Sequence, residues 1–328
     1  MRFVFPRNRH RITIIGGCNG EVLEIAPVEH GQQDQQRDGD RVDVRNEIVV
    51  AAYLPDYAIG RIDPEKIELQ PITDIIYFGL NVTGDDPGAT ISIDPQHLAA
   101  LKQLKERSGC RILLCAGGWE RSNGFAAITS DPMKRQAFIQ ALFNFCKTHG
   151  FDGIDYDWEH PQYDRQISNY ATLVAETAKA FEEHELLVTV ALAPWQDLGP
   201  VFYEAVDRIH LMSYDQPYPH ATMDHARSEV ERLVGWGCPP EKLALGIPFY
   251  GRNHQGQAKS YRQLVEQAAG EGAPDVIDGY AHNGPATVEA KTKWAIDRGL
   301  AGVMVWELTQ DSRDQALGRA IGRGAGVE

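Results

Sequence analysis

Residues 151–160 read Phe-Asp-Gly-Ile-Asp-Tyr-Asp-Trp-Glu-His. On a β-strand successive side chains point to opposite faces, so Asp155, Asp157 and Glu159 share one face while Ile154, Tyr156 and Trp158 share the other. Alternate residues on a strand lie about 6.5–7 Å apart, given a rise of about 3.3 Å per residue. Three carboxylates in one such row cannot all ionise cheaply. At least one proton is retained or shared, and the pKa values are pushed apart. A carboxyl group kept protonated near neutral pH beside ionised neighbours is what general-acid cleavage of an acetal requires. Two other readings stand beside this one, a solvated edge strand and a magnesium or calcium site. Against the first, the amphipathic segment Phe138 to Phe145 just upstream argues for an internal parallel strand, where solvated charge is out of place. Against the second, no second acidic group completes a metal site.

A row of this kind needs a scaffold. From Glu47 onward, short β-branched runs alternate with longer amphipathic ones. The strand candidates are Ile48–Leu54, Ile72–Leu80, Arg111–Ala116, Gly153–Asp157, Leu187–Ala193, Arg208–Ser213, Leu243–Ile247 and Gly302–Trp306. Helical patterns fall at Pro95–Arg107, Pro132–Thr148, Gln166–His184, Met223–Gly235, Tyr261–Ala268 and Ala286–Arg298. Asp94-Pro95 and Asp131-Pro132 each place proline at the first helical position after an aspartate cap. About eight strands, most followed by a helix, predict an α/β fold, a (β/α)8 TIM barrel with one parallel sheet closed on itself. An open nucleotide-binding sheet loses, because no G-x-G-x-x-G or Walker pattern follows the first strand. In a barrel the reactive groups gather at the C-terminal ends of the strands. Gly117-Gly118-Trp119, Asp157 with Glu159, Pro194-Trp195, Tyr214-Asp215, Tyr250 and Trp306-Glu307 all fall at such ends. Trp236 and Trp294 sit in or beside helical patterns and read as core.

The chain has 328 residues, 43% of them hydrophobic, and a net charge of −14. That balance argues against nucleic acid or an anionic membrane as partner and is compatible with a neutral polysaccharide. The cysteines (Cys18, Cys110, Cys115, Cys146 and Cys238) show no zinc or disulfide spacing and read as reduced structural thiols. No stretch approaches the ~20 apolar residues of a membrane span. Met1 to Arg11 is basic and is followed by Ile12-Thr-Ile-Ile-Gly-Gly-Cys18, a lipobox-like run whose apolar part is shorter than the ~7–15 residues of a signal peptide. Residues 29–46, rich in Gln, Asp and Arg, read as disordered. Residues 1–46 are therefore expected to be a leader or a disordered extension, and residues 47–328 the folded domain. The chain is expected to be cytoplasmic if the leader is not a signal, with export or lipid anchoring at Cys18 the lesser reading.

At this point the chain resembles glycoside hydrolase family 18, the chitinase-like barrels. Asp152-Gly-Ile-Asp-Tyr-Asp-Trp-Glu159 matches that family's strand-four signature D-G-x-D-x-D-x-E, and Ala116-Gly117-Gly118 resembles the end of its strand-three S-x-G-G. Met212-Ser-Tyr-Asp215 is similar to its M-x-Y-D, and Tyr53 to its strand-one tyrosine. Gly246-Ile-Pro-Phe-Tyr-Gly-Arg252 and Gly302-Val-Met-Val-Trp-Glu307 match strands seven and eight. Five motifs in order over roughly residues 47–325 make the resemblance specific. It implies that Glu159 is the general acid and then base, and that the substrate's own 2-acetamido oxygen replaces a protein nucleophile. By the same resemblance Asp157 orients the acetamido N–H, Asp155 shares a proton with Asp157, and Tyr214 donates to the acetamido carbonyl. Met212, Asp215, Tyr53, Gly117, Gly118 and Tyr250 would belong to the substrate site, Trp306 to its apolar floor, and Trp119 and Trp195 to neighbouring sugar platforms.

The resemblance implies retaining hydrolysis of β-1,4-linked N-acetylglucosamine polymers or oligomers, without cofactor or metal, by a monomer. An endo-β-N-acetylglucosaminidase, a peptidoglycan-directed hydrolase and a non-catalytic lectin are the alternatives. Two departures carry expectations. Ile75-Ile-Tyr-Phe-Gly79 displaces the aromatic of the family's strand-two Y-A-F. Only about 35 residues separate Tyr250 from the helix near Ala286, too few for a large α+β insertion, so an open cleft is expected. No carbohydrate-binding module is expected after the last helix near Ile321, so soluble or short oligosaccharides are expected rather than crystalline chitin.

Overall fold

The structure, a computed structural model, describes residues 48–267 and 275–327. The expected leader and Cys18 lie outside these residues. Eight parallel strands close into a barrel: β1 (Val49–Pro55), β2 (Asp74–Leu80), β3 (Arg111–Gly117), β4 (Gly153–Asp157), β5 (Leu187–Leu192), β6 (Arg208–Leu211), β7 (Leu243–Pro248) and β12 (Gly302–Trp306). The hydrogen-bonded order β1-β12-β7-β6-β5-β4-β3-β2 sets β4 between β3 and β5, so the carboxylate row is not on an edge. Around the barrel run α1 (Pro95–Ser108), α2 (Phe125–Ser130), α3 (Pro132–His149), α4 (Asp164–Phe181), α5 (Pro200–Ala205), α6 (Met223–Gly235), α8 (Pro285–Asp297) and α9 (Ala316–Ala325). The two proline-led helices start as their sequences predict. Asp94 accepts from the Gln96 N–H at 2.8 Å, and Asp131 from the Met133 N–H at 2.8 Å. These bonds satisfy donors that no earlier turn can reach. No helix among the described residues is long and apolar enough to cross a membrane.

After β7 the chain makes an excursion before rejoining the barrel. Strands β8 (Tyr250–Arg252), β9 (Ala258–Ser260), β10 (Val276–Ile277) and β11 (Tyr280–Ala281) form a small antiparallel sheet in the order β10-β11-β8-β9, with helix α7 (Tyr261–Gln267) between β9 and β10. Strands of two or three residues are too short to leave an alternation in sequence. The excursion is small, as the spacing from Tyr250 to Ala286 predicts.

Alternation along each barrel strand divides the core in two. One set of side chains packs between sheet and helices, including Ile154, Tyr156 and Trp158; the Tyr156 hydroxyl lies 2.9 Å from Thr177 Oγ1 on α4, and Trp158 stacks on Phe125 of α2 at 5.3 Å. The other set fills the barrel and includes Ala51, Tyr53, Ile76, Leu113, Cys115, Ala244 and Met304. Near the N-terminal ends of the strands this interior is closed by ion pairs. Asp74, 1% exposed, accepts from Arg111 and from Arg208, the latter at 2.8 Å. Two guanidinium groups hold the Asp74 carboxyl far below the usual carboxylate range despite its burial. The floor is thereby fixed, and the opposite end of the barrel is left for chemistry. Cys110, Cys115, Cys146 and Cys238 are free and buried.

Candidate active site

The row begins inside the barrel. Asp155 is completely buried, and its two oxygens are taken by three donors from three strands. Tyr53 on β1 donates to Oδ2 at 2.6 Å, Thr189 on β5 donates to Oδ1 at 2.6 Å, and His210 Nδ1 on β6 lies 2.9 Å from Oδ1. The expected proton sharing between Asp155 and Asp157 is not seen as a hydrogen bond; the Asp155 oxygens face Tyr53, Thr189 and His210 instead. Two residues on, Asp157 lines the cavity at the C-terminal end of the barrel, and its Oδ1 is buried with no hydrogen-bond partner. Burial first, then the negative charges of Glu159 and Asp155, push Asp157 well above the usual carboxylate range. Glu159 lies just past the end of β4. Burial and the charge of Asp215 push it up to about 7, against the opposing pull of the Trp119 N–H. His160 Nε2 is 3.5 Å from Glu159 Oε2. Asp157 and Glu159, both raised above the usual carboxylate range, therefore face the same cavity.

Close approach of β3 to β4 aims the row. Gly117 and Gly118 adopt φ of 100° and 101°, a region unfavourable to residues with a Cβ. A Cβ on Gly117 would lie 2.3 Å from the Asp157 carbonyl, and one on Gly118 2.0 Å from the Phe78 ring. The Gly118 N–H donates to the Asp157 carbonyl at 2.6 Å. Ser122 locks the junction: its hydroxyl accepts from the Glu159 N–H at 3.1 Å and lies 3.0 Å from the Asp157 carbonyl as donor. The two glycines thus shape the backbone beneath the site and do not line the cavity.

Above the row opens a cavity of about 880 Å³, walled by Tyr53, Phe78, Trp119, Tyr214, Tyr250 and Trp306. Trp306, at the end of β12, meets Phe78 edge-on at 5.2 Å and Tyr53 at 5.4 Å, leaving a half-buried indole face toward the cavity. Phe78 corrects the strand-two expectation. Tyr77 turns out of the barrel, its hydroxyl 2.8 Å from His97 Nδ1, and Phe78 supplies the aromatic wall. Beyond β6, Met212, Tyr214 and Asp215 also line the cavity. Asp215 accepts from the Tyr250 hydroxyl and from Arg252 at 2.9 Å, while Arg121 pairs with both oxygens of Asp56 at 2.9 Å. Each arginine of the cavity wall therefore carries its own carboxylate.

Residues 49–311 match the family model for glycosyl hydrolases family 18. The chain belongs to glycosyl hydrolases family 18. It is accordingly a glycoside hydrolase on a (β/α)8 barrel. Among curated relatives it is similar to Chitinase 1 of Aphanocladium album, 27% identical over 80% of this chain and 82% of that one. It is also similar to the endochitinase of Manduca sexta, 27% identical over 80% of this chain and 62% of the relative. Among solved structures, the family 18 chitinase from the chitin utilization locus of Flavobacterium johnsoniae superposes with a TM-score of 0.74 at 26% identity, covering 85% of this chain and 94% of that one. A chitinase from Bacteroides thetaiotaomicron gives 0.75 at 26% identity, over 84% and 96% of the two chains.

Of the residues singled out from sequence, the family 18 fold brings Tyr53, Trp119, Asp157, Glu159, Met212, Tyr214, Asp215, Tyr250 and Trp306 around one cavity. Asp155 lies directly beneath it. Trp119 is 70% exposed at the mouth. Trp195, 58% exposed, meets the His160 ring edge-on at 4.7 Å and is not part of the cavity wall. Sequence reasoning missed Thr189, His210, Ser122, Phe78 and Arg121. For His210 a signal existed: on β6 it alternates with Arg208 and Met212 on the inward face, a poor place for an imidazole without a partner.

Proposed function

We propose that this family 18 enzyme hydrolyses β-1,4-linked N-acetylglucosamine chains of the chitin type, with retention of configuration and with the substrate's acetamido oxygen as nucleophile. The observation that carries the reading is the state of the carboxyls around the cavity. Glu159 holds its proton up to about pH 7, which suits a general acid. Asp157 is also raised, by burial and then by the charges of Glu159 and Asp155, and Asp215 is engaged by Tyr250 and Arg252. A protonated or ion-paired carboxyl is a poor nucleophile, and that leaves the attack to the substrate.

Glu159 gives its proton to the leaving oxygen while the acetamido oxygen closes on the anomeric carbon. The orphaned Oδ1 of Asp157 is the acceptor that the acetamido N–H needs, and the Tyr214 hydroxyl is the donor for its carbonyl. Trp306 takes the apolar side of the same sugar. Glu159, now ionised, then deprotonates a water that opens the ring from the face vacated by the leaving group, so two inversions give retention. Asp155, held by Tyr53, Thr189 and His210, anchors the row. The neutralised arginines support a neutral glycan over one bearing lactyl carboxylates, and relatives bearing the name chitinase support the same substrate class.

The test is product analysis on N-acetylglucosamine oligomers, N-glycans and muropeptides, with the first-formed anomer read by NMR. Turnover of the oligomers with the β-anomer first is expected. Turnover of N-glycans or muropeptides alone would overturn the substrate, and the α-anomer first would overturn the mechanism.

A further inference from the structure

Tyr214 and Asp215 reach the cavity from a segment that belongs to no strand. β6 stops at Leu211 and α6 starts at Met223, and between them the chain passes through left-handed Asp215 (φ 66°) and Ala221 (φ 52°). Residues with a Cβ stay in that region only where their surroundings hold them. Two buried charged side chains supply the hold, and neither lines the cavity. Glu229 of α6, 4% exposed, accepts from Ser213 Oγ at 2.6 Å and from Gln216 Nε2 at 2.8 Å, the residues on either side of Tyr214-Asp215. Gln216 extends the grip by accepting from the Ala221 N–H at 2.8 Å.

From the other side Lys291 of α8, fully buried, donates to the Ala221 carbonyl at 2.6 Å and to Asn283 Oδ1 at 2.8 Å. Asn283 Nδ2 donates to the same carbonyl at 2.9 Å. Burial brings Lys291 down to about 7, with Glu229 first among the groups acting in the opposite direction. Two buried charges are a weak source of stability, since well-packed apolar side chains usually serve as well. Their contacts converge instead on the segment that presents two cavity groups.

We propose that Glu229 and Lys291 are positioning residues of this active site: they clamp the Ser213–Thr222 segment from two helices and so fix the Tyr214 hydroxyl and the Asp215 carboxylate. This deepens the proposed function and rests on its assignment of Tyr214 and Asp215 to the reacting sugar.

The experiment measures kcat and KM on N-acetylglucosamine tetramer for Glu229→Ala, Glu229→Gln and Lys291→Met, each well below its melting temperature. Glu229→Ala is repeated in an Asp215→Asn background. Glu229→Ala and Lys291→Met should each lower kcat/KM about ten- to a hundredfold, the scale of a lost charge-assisted hydrogen bond. Glu229→Gln should recover part of the loss. In the Asp215→Asn background the effect of Glu229→Ala should shrink at least about threefold, because one group it positions is already gone. A merely structural role would lower stability without that coupling. Losses under about threefold in the folded single variants, or losses that simply multiply, would overturn the clamp. Should Glu229→Ala fail to fold, Ser213→Ala and Gln216→Ala remove the same bonds singly and meet the same criteria. A wild type inactive on every acetamido sugar would instead defeat the assignment beneath it.

Discussion

Replacing Glu159 by glutamine should stabilise the protein, and by an amount that depends on pH. The folded chain raises Glu159 from 4.5 to about 7, first through burial and then through the charge of Asp215. Between those values the folded state binds a proton that the unfolded chain releases, so stability falls as pH rises through the window. Below about pH 4.5 both states are protonated and the term vanishes; above about pH 7 it is present in full. At about 1.4 kcal/mol per pKa unit, holding Glu159 ionised costs the fold about 3 kcal/mol. Glutamine, nearly isosteric and uncharged, carries no such cost at any pH. A chain of this size gains about 2 °C in Tm per kcal/mol, so the variant should melt roughly 5–8 °C above wild type at pH 8 and within about 2 °C of it at pH 4. Thermal melts of both proteins across that range decide the matter. Equal melting at pH 8, or an advantage identical at pH 4 and pH 8, would refute the argument that Glu159 sits in a site hostile to its own charge.

Asp74→Ala should cost about 3–5 kcal/mol in urea denaturation at pH 7, since it leaves Arg208 and Arg111 facing a buried gap. Because the folded chain depresses Asp74, its contribution is full above its ordinary 3.8 and is lost as pH falls further, so the gap between wild type and variant should narrow in acid. Gly118→Ala should lower kcat by more than about tenfold and cost about 1–3 kcal/mol, because the new methyl meets the Phe78 ring at a φ of 101°; a variant with wild-type turnover would show that Phe78 can yield. Trp306→Ala should cut kcat/KM on N-acetylglucosamine oligomers by about a hundredfold, equivalent to about 3 kcal/mol of lost transition-state stabilisation. A change under about threefold would remove the indole from the sugar's floor.

How much of this was legible in sequence follows from how local each feature is. β4 and β12 were read with their observed bounds, because each starts at a glycine, Gly153 or Gly302, and an acidic residue, Asp157 or Glu307, marks its end. The strand expected to run to Ser213 ends at Leu211, where the Ser213 N–H turns back to the Leu211 carbonyl. Helices α2 and α5, of six residues each, are too short for a helical period, and the strands of the small sheet are shorter still. The carboxylate row was visible because its members lie two apart. What holds Asp155 was not: Thr189 and His210 stand 34 and 55 residues away and reach it only when the barrel closes. Phe78 was missed for a related reason, since a one-residue shift of the aromatic exchanges the inward and outward faces of a strand. Gly117 and Gly118, at the end of β3, were read as part of the sugar site on resemblance; neither lines the cavity, and a Cβ on them would meet Asp157 and Phe78.

The central claim is that the nucleophile comes from the substrate. It is tested most directly by comparing two β-1,4-linked oligomers that differ only at the reacting sugar, one with a 2-acetamido group and the other with a 2-hydroxyl. Wild-type enzyme should cleave the first and leave the second intact, with rates at least about a thousandfold apart. Cleavage of the 2-hydroxyl oligomer at a comparable rate would mean that a protein carboxylate attacks after all, and would contradict the assignment of Asp157 and Glu159.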